Sequence, residues 1–218
     1  GGDTLNTYNH SLSAAWEFPF FAESMLSLGT MGLVRFYPDQ RLVEISGNYA
    51  STKRQDWSAS AGAGWRKPFG LTERSGVVAS ANLDFGLSRS NQAHFDTNES
   101  KFIEGYYDYR DWKLSLGSHF VFGSNPRRAK SLGLAVWSGL RQYDSRLIQD
   151  AGGKYLGETT DLESMGFSIA GSMPVGEKGL FLKSVIQAAQ QDSNMKYEAN
   201  YKYNFDTLNY LLGFSYEF

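Results

Sequence analysis

The stretch LNYLLGFSYEF, residues 208–218, decides how the rest of the chain is read. Leu208, Tyr210, Leu212, Phe214, Tyr216 and Phe218 share one parity; Asn209, Gly213, Ser215 and Glu217 lie between them, and Leu211 is the exception. A two-residue period puts successive side chains on opposite faces of an extended chain, so the stretch predicts a strand with one apolar and one polar face. Chain ends usually fray, because terminal residues make too few contacts to offset their ordering entropy. An aromatic last residue inside a regular pattern predicts an ordered end instead.

The same alternation recurs upstream. It runs through 180–190, 162–173, 131–141, 112–122, 77–87 and 57–65, with weaker versions at 41–50, 26–37 and 12–20. No 3.6-residue period competes with it, and no linker or change of composition divides the chain. The expectation is an all-β fold of about ten strands, with eight to twelve compatible, in a single domain over 1–218 whose residues 1–9 are a disordered or tag-derived N-terminus. Composition agrees: 23 Gly and 15% aromatics among 218 residues suit many short strands and tight turns.

Connection lengths sort by position. Those at 38–40, 67–75, 123–130 and 174–179 are short, whereas those at 88–111, 143–161 and 191–206 are long and polar. Short turns at one end and long loops at the other, with an even strand number and both termini on the short-turn side, is the layout of a closed antiparallel up-and-down transmembrane β-barrel. A soluble sandwich has no reason to sort its loops this way. The apolar faces point in the same direction. Trp57 and Trp65 share a face with only Ala59, Ala61 and Ala63 between them. Eight residues are about 26 Å of strand and roughly 20 Å of height once tilted, close to the separation of the two aromatic girdles of such barrels. Trp112 with Phe120 and Phe122, and Tyr210, Phe214 and Phe218, continue the interface aromatics. An open sheet edge in hydrocarbon would leave backbone groups without partners, so strands in lipid imply closure.

The run LLGFSYEF, with aromatics at alternate positions before a final Phe218, resembles the terminal strand of Gram-negative outer-membrane β-barrel proteins. The resemblance implies residence in the outer membrane, contact with the lipid bilayer and lipopolysaccharide, and recognition of the last strand by the barrel assembly machinery. A ring of lipid-facing aromatics explains itself without a protein partner, so the expected state is a monomer.

The opposite faces carry Gly, Ser and scattered charges. Glu17, Arg35, Glu44, Arg66, Asp84, Lys113, His119, Arg141, Lys183 and Glu217 are the expected lumen-lining residues. Paired across the lumen they would plug it, because an unpaired buried charge is costly; with room left by the inward glycines they would line a narrow hydrated pore and bias its selectivity. The first functional reading is therefore a narrow passive, porin-like passage for small solutes or ions. The alternative is a closed scaffold whose long loops bind a ligand or surface partner, and a third is a hydrolase at the outer rim. For the last, His94 and Asp96 are the weak catalytic candidates, two apart and so on one face of an extended segment. His119 beside Ser118 is a poorer one, since adjacent strand residues face opposite ways. Tyr106, Tyr107 and Tyr109 read as an extension of the interface belt, and the acidic loop residues Asp96, Glu99, Glu104, Asp108 and Asp111 as solvated charge. A net charge of -2 without a basic run gives no reason to expect nucleic acid, zero Cys excludes disulfides and thiolate metal sites, and no motif calls for a metal or cofactor.

Overall fold

A computed structural model describes residues 6–96, 100–123, 125, 128–176, 179–198 and 202–216. Among these the fold is all-β. The strands are β1 (Tyr8–Phe20), β2 (Ser24–Val43), β3 (Tyr49–Thr72), β4 (Ser75–Ser90), β5 (His94–Asp96), β6 (Lys101–Ile103), β7 (Tyr109–Phe122), β8 (Lys130–Gln149), β9 (Tyr155–Pro174), β10 (Leu180–Ser193) and β11 (Phe205–Tyr216). Nine of them form one antiparallel sheet in chain order, β1-β2-β3-β4-β7-β8-β9-β10-β11, while β5 and β6 make a hairpin of their own. Tyr8 and Asn9, expected to precede the fold, are part of β1. Glu217 and Phe218 lie outside the described residues.

The main sheet has nine strands rather than ten because residues 38–40, expected to be a turn, lie inside β2. The pairing of β2 with β3 passes from Tyr37↔Arg54 to Arg41↔Lys53, so four steps on one strand match one on the other. That bulge absorbs Pro38, which has no amide hydrogen to give to a ladder. The turn falls instead at residues 44–48, where the Glu44 amide donates to the Asn48 carbonyl, 2.9 Å. The odd number also revises the expected position of the termini: β1 and β11 both run from the long-connection end toward the short-turn end.

The two kinds of connection overlap more than expected: only 91–108 and 194–204 are long, while 44–48 and 150–154 at the same end are no longer than 123–129 or 175–179 at the other. The strands extend into residues read as loop: β3 and β4 are separated by residues 73–74 only, and β8 and β9 by 150–154. In the latter turn the Asp150 carboxylate accepts the Gly152 and Lys154 amides at 2.8 and 3.0 Å, and Gly153 supplies the positive φ of 84°. The β1–β2 turn is tight in another way: Ala22 and Glu23 both have positive φ, the mirror-image turn whose twist matches the strands it joins.

Register assigns the faces. On one face, Leu12–Phe20, Leu26–Phe36, Trp57–Trp65, Val77–Leu87, Trp112–Phe122, Leu132–Leu140, Met165–Met173, Leu182–Ala188 and Leu208–Tyr216 contribute a band across all nine strands that contains no Asp, Glu, Lys or Arg. Charges on that parity stand only beyond the band, among them Lys53, Arg89, Arg110, Asp161, Glu163, Asp192 and Asp206 at the long-connection end, and Lys67 and Lys130 at the other. The band is exposed, with Leu12 at 82%, Tyr210 at 83% and Leu212 at 71%. Total accessible surface is 14465 Å², against about 10,000 Å² for a compact soluble protein of this mass.

The polar face curls inward. Ser60 on β3 and Gln191 on β10 line one cavity of about 340 Å³, although five strand spacings would hold them about 24 Å apart in a flat sheet. Among the described residues, four of the five most deeply buried apolar side chains, Ala93, Tyr143, Ile148 and Met195, pack under the connections at the long-loop end; the fifth, Phe181, lies beside the β9–β10 turn at the other end.

Candidate functional site

Register places Glu17, Arg35, Arg66, Asp84, Lys113, His119, Arg141 and Lys183 on the polar face, as expected from parity. Glu44 departs from that expectation: it sits in the β2–β3 turn, exposed, because the strand break falls there and not at Pro38. Trp57, Trp112, Phe122, Tyr210 and Phe214 are exposed on the apolar face, and Trp65 and Phe120 share it half-buried.

The polar-face charges reach one another across the sheet. Arg66 donates to Glu17 at 2.8 Å and Arg141 to Asp111 at 3.0 Å. Lys113 lies over the Trp137 ring at 5.5 Å, an inward Trp that the apolar alternation of β8 concealed. Glycines make these reaches possible. A Cβ on Gly62 would overlap Asp84 Oδ1, and one on Gly86 would overlap Asp111 Oδ1, so each carboxylate lies flat across the bare backbone of the neighbouring strand.

The densest chemistry is at the long-connection end. Two bulges build it. In β8 the pairing with β9 passes from Gln142↔Asp161 to Leu147↔Thr159, so that Tyr143–Arg146 leave that ladder, Tyr143 staying paired with Tyr109 of β7; the bulge at Tyr37–Arg41 interrupts the pairing of β2 with β3 in the same way. Bulges re-aim side chains, and here they gather three aromatic and cationic stacks. Arg54 lies over Tyr37 at 4.5 Å and Tyr107 at 5.1 Å; Arg146 over Tyr143 at 3.8 Å and Tyr106 at 4.5 Å; Arg141 over Tyr109 at 4.1 Å. Asp56 anchors the first stack by accepting from Arg54 Nη2 at 2.8 Å, Tyr37 Oη at 2.9 Å and Ser90 Oγ at 2.5 Å.

The segment between β4 and β7 folds down onto this cluster. The Asp108 carboxylate accepts the Ser90 amide at 2.8 Å, and the Asp144 amide donates to the Asp108 carbonyl at 3.0 Å. His94 stacks on Tyr106 with ring centroids 3.9 Å apart and meets Tyr107 Oη at 3.4 Å. Burial, and then the Arg146 charge, hold His94 below its usual range, while burial pushes Tyr106 up against the opposing pull of the same arginine. Tyr106, Tyr107 and Tyr109 thus face cations and not a membrane interface, which revises the belt expected of them. Asp96 is 3% exposed beneath the same segment. His94 and Asp96 are therefore packed components of this aromatic and cationic cluster, and Ser118 stands on the opposite face from His119. Three of the loop acids are not solvated charge: Asp96 is buried, Asp108 lies 3.7 Å from Arg89, which with Arg110 also pairs with Asp144, and Asp111 pairs with Arg141; Glu104 is exposed, as expected. Glu99 lies outside the described residues.

Among the described residues no group of His, Asp and Glu is placed to hold a metal ion. Comparison with protein-family models, with curated proteins and with solved structures finds no match to this chain.

Tyr37, Arg54, Asp56, Tyr143 and Arg146 were not singled out by the sequence reading. The signal was present for two of them: Arg54 and Asp56 continue the inward parity of Ser58 and Ser60 one turn beyond the apolar stretch.

Proposed function

We propose that this chain is a transmembrane β-barrel of the Gram-negative outer membrane, closed in the bilayer and monomeric, whose polar face encloses a narrow passive passage for small solutes or ions. The observation that carries this reading is the uncharged apolar band spanning all nine strands, with charge confined to the other face and to the band's two margins. Water offers no reason to clear every charge from so large an exposed surface, whereas lipid does, since Arg or Lys at mid-bilayer costs about 2–4 kcal/mol. Lipid and lipopolysaccharide would cover the band, and the last strand, with its outward Tyr210, Phe214 and Tyr216, would be the element met by the assembly machinery.

The passage is narrow because side chains fill it in part. Glu17–Arg66 and Asp111–Arg141 cross the polar face as compensated pairs, which keeps the charged lining from incurring the cost of unpaired ions and leaves cavities of a few hundred Å³ between them. Single-channel recording of the folded protein in a planar bilayer, with Arg66→Ala and Arg141→Ala alongside, tests it. Steady openings whose ion selectivity shifts in the arginine variants are expected. A folded, heat-modifiable but silent barrel would refute the passage and leave the packed loop end as a binding surface.

A further inference from the structure

We propose that the mouth of the polar face binds small solutes bearing an oxyanion, carboxylate or phosphate, on a ring-shaped body. This deepens the passage reading by naming the class of solute, and its transport consequence rests on that reading. A cavity of about 330 Å³ lies at the long-connection end, bordered by strands β2, β3, β4, β7 and β8. Its lining holds three guanidinium groups, those of Arg35, Arg54 and Arg146, against one carboxylate, Asp56.

The carboxylate is already committed. Asp56 pairs with Arg54, so that arginine is neutralised. Arg35 and Arg146 are not. Arg35 donates through Nε to the neutral Asn9 Oδ1 at 3.0 Å, leaving the outer edge of its guanidinium for a ligand. Arg146 is held between two tyrosine rings and pairs with no carboxylate among the described residues. Three other acids of this end serve arginines outside the cavity lining: Asp144 and Asp108 pair with Arg89, Asp144 also with Arg110, and Asp111 with Arg141. Asp96 is buried in the β4–β7 segment, where its charge acts on His94 and Tyr106, and does not line the cavity. A chain of formal charge -2 thus presents a cationic mouth.

The remaining walls fit the body of such a solute. Tyr107, Tyr109 and Tyr143 border the cavity with ring surface, and Ser58, Ser88 and Ser90 add small hydroxyls. Aromatic faces pack against sugar or other ring carbons, while guanidinium forks take carboxylate and phosphate oxygens in pairs. A metal cation or a polyamine would meet like charge here.

Isothermal titration of the detergent-folded protein with glucuronate, glucose 6-phosphate and glucose tests the assignment at low salt. Either or both anions are expected to bind and glucose not to, and the preference between the two anions identifies carboxylate or phosphate as the favoured group. Arg35→Gln with Arg146→Gln is expected to weaken binding about tenfold or more, the loss of one or two charge-assisted hydrogen bonds. Arg35→Gln alone, at an exposed side chain whose loss leaves the packing intact, is expected to weaken it in the same direction. Arg74→Gln, in the turn at the far end, is expected to leave it unchanged. Absence of binding by both anions, equal binding of glucose, or anion binding that survives in the double variant would overturn the proposal. Conductance separates the two readings: a silent barrel that binds anions refutes only the passage, and a conducting barrel that ignores them refutes only the mouth site.

Discussion

Ala61→Arg puts the membrane reading at its sharpest. Ala61 is exposed on the apolar face of β3, midway between Trp57 and Trp65, and pairs with Thr30 on one side and Phe85 on the other. Four residues separate it from each Trp, about 13 Å along the strand and roughly 10 Å in height after tilting. If the tryptophans mark the two interfaces, the new guanidinium stands at mid-bilayer. Replacing an exposed Ala removes no packing, so two environments give well separated expectations. In lipid the substitution is expected to cost about 2–4 kcal/mol, at least about 30-fold in the folding equilibrium. In water a surface change of this kind stays within about 0.5 kcal/mol. Reversible urea unfolding from lipid vesicles, followed by tryptophan fluorescence, reads the difference, with Asn48→Arg in the exposed β2–β3 turn as the reference. A cost for Ala61→Arg no larger than that of Asn48→Arg would refute the assignment of this face to lipid.

Two further expectations concern the polar face and the loops. Gly86→Ala should cost about 1–3 kcal/mol, because its Cβ would displace the Asp111 carboxylate that holds Arg141, whereas Gly32→Ala, with open space around the new methyl, should be neutral or slightly stabilising; equal effects in the same unfolding assay would contradict the cradle. Glu198 accepts the Asn204 amide and side chain and the Tyr203 amide, which hold its pKa down to about 2. Because the folded value lies below the usual 4.5, its contribution is present above pH 4.5 and is lost as pH falls toward 2. A carboxyl NMR titration with its midpoint near 4.5 would show that the loop between β10 and β11 is not ordered by this residue.

The sheet was legible because alternation survives wherever a strand has two unlike faces. Residues 57–65 and 77–87 read the same in sequence and structure, and their parity placed Arg66 and Asp84 correctly on the polar face. Alternation fails where the ladder is irregular. Pro38 looked like a turn because its ring cannot donate, yet a bulge accommodates it; residues 143–149 looked like loop because extra residues at Tyr143–Arg146 shift the parity, and residues 155–161 because Gly157, Glu158, Thr159, Thr160 and Asp161 leave neither face apolar. The mouth cluster lies at those same two irregularities, so the feature that hid it from periodic analysis also creates it. The tyrosines 106, 107 and 109 were visible as a group, but only the fold shows that arginines from β3 and β8 meet them.

The odd strand number has a directional consequence. β1 and β11 carry the outer edges of the sheet and advance the same way. Direct pairing between them would be parallel, with slanted and slightly weaker bonds than the eight antiparallel ladders elsewhere. Proline at position 19 removes a donor from β1 as well. A segment entering between them in the opposite direction would find an antiparallel neighbour on each side. The two edges are thus the one place in the sheet where the order of the chain does not dictate the bonding.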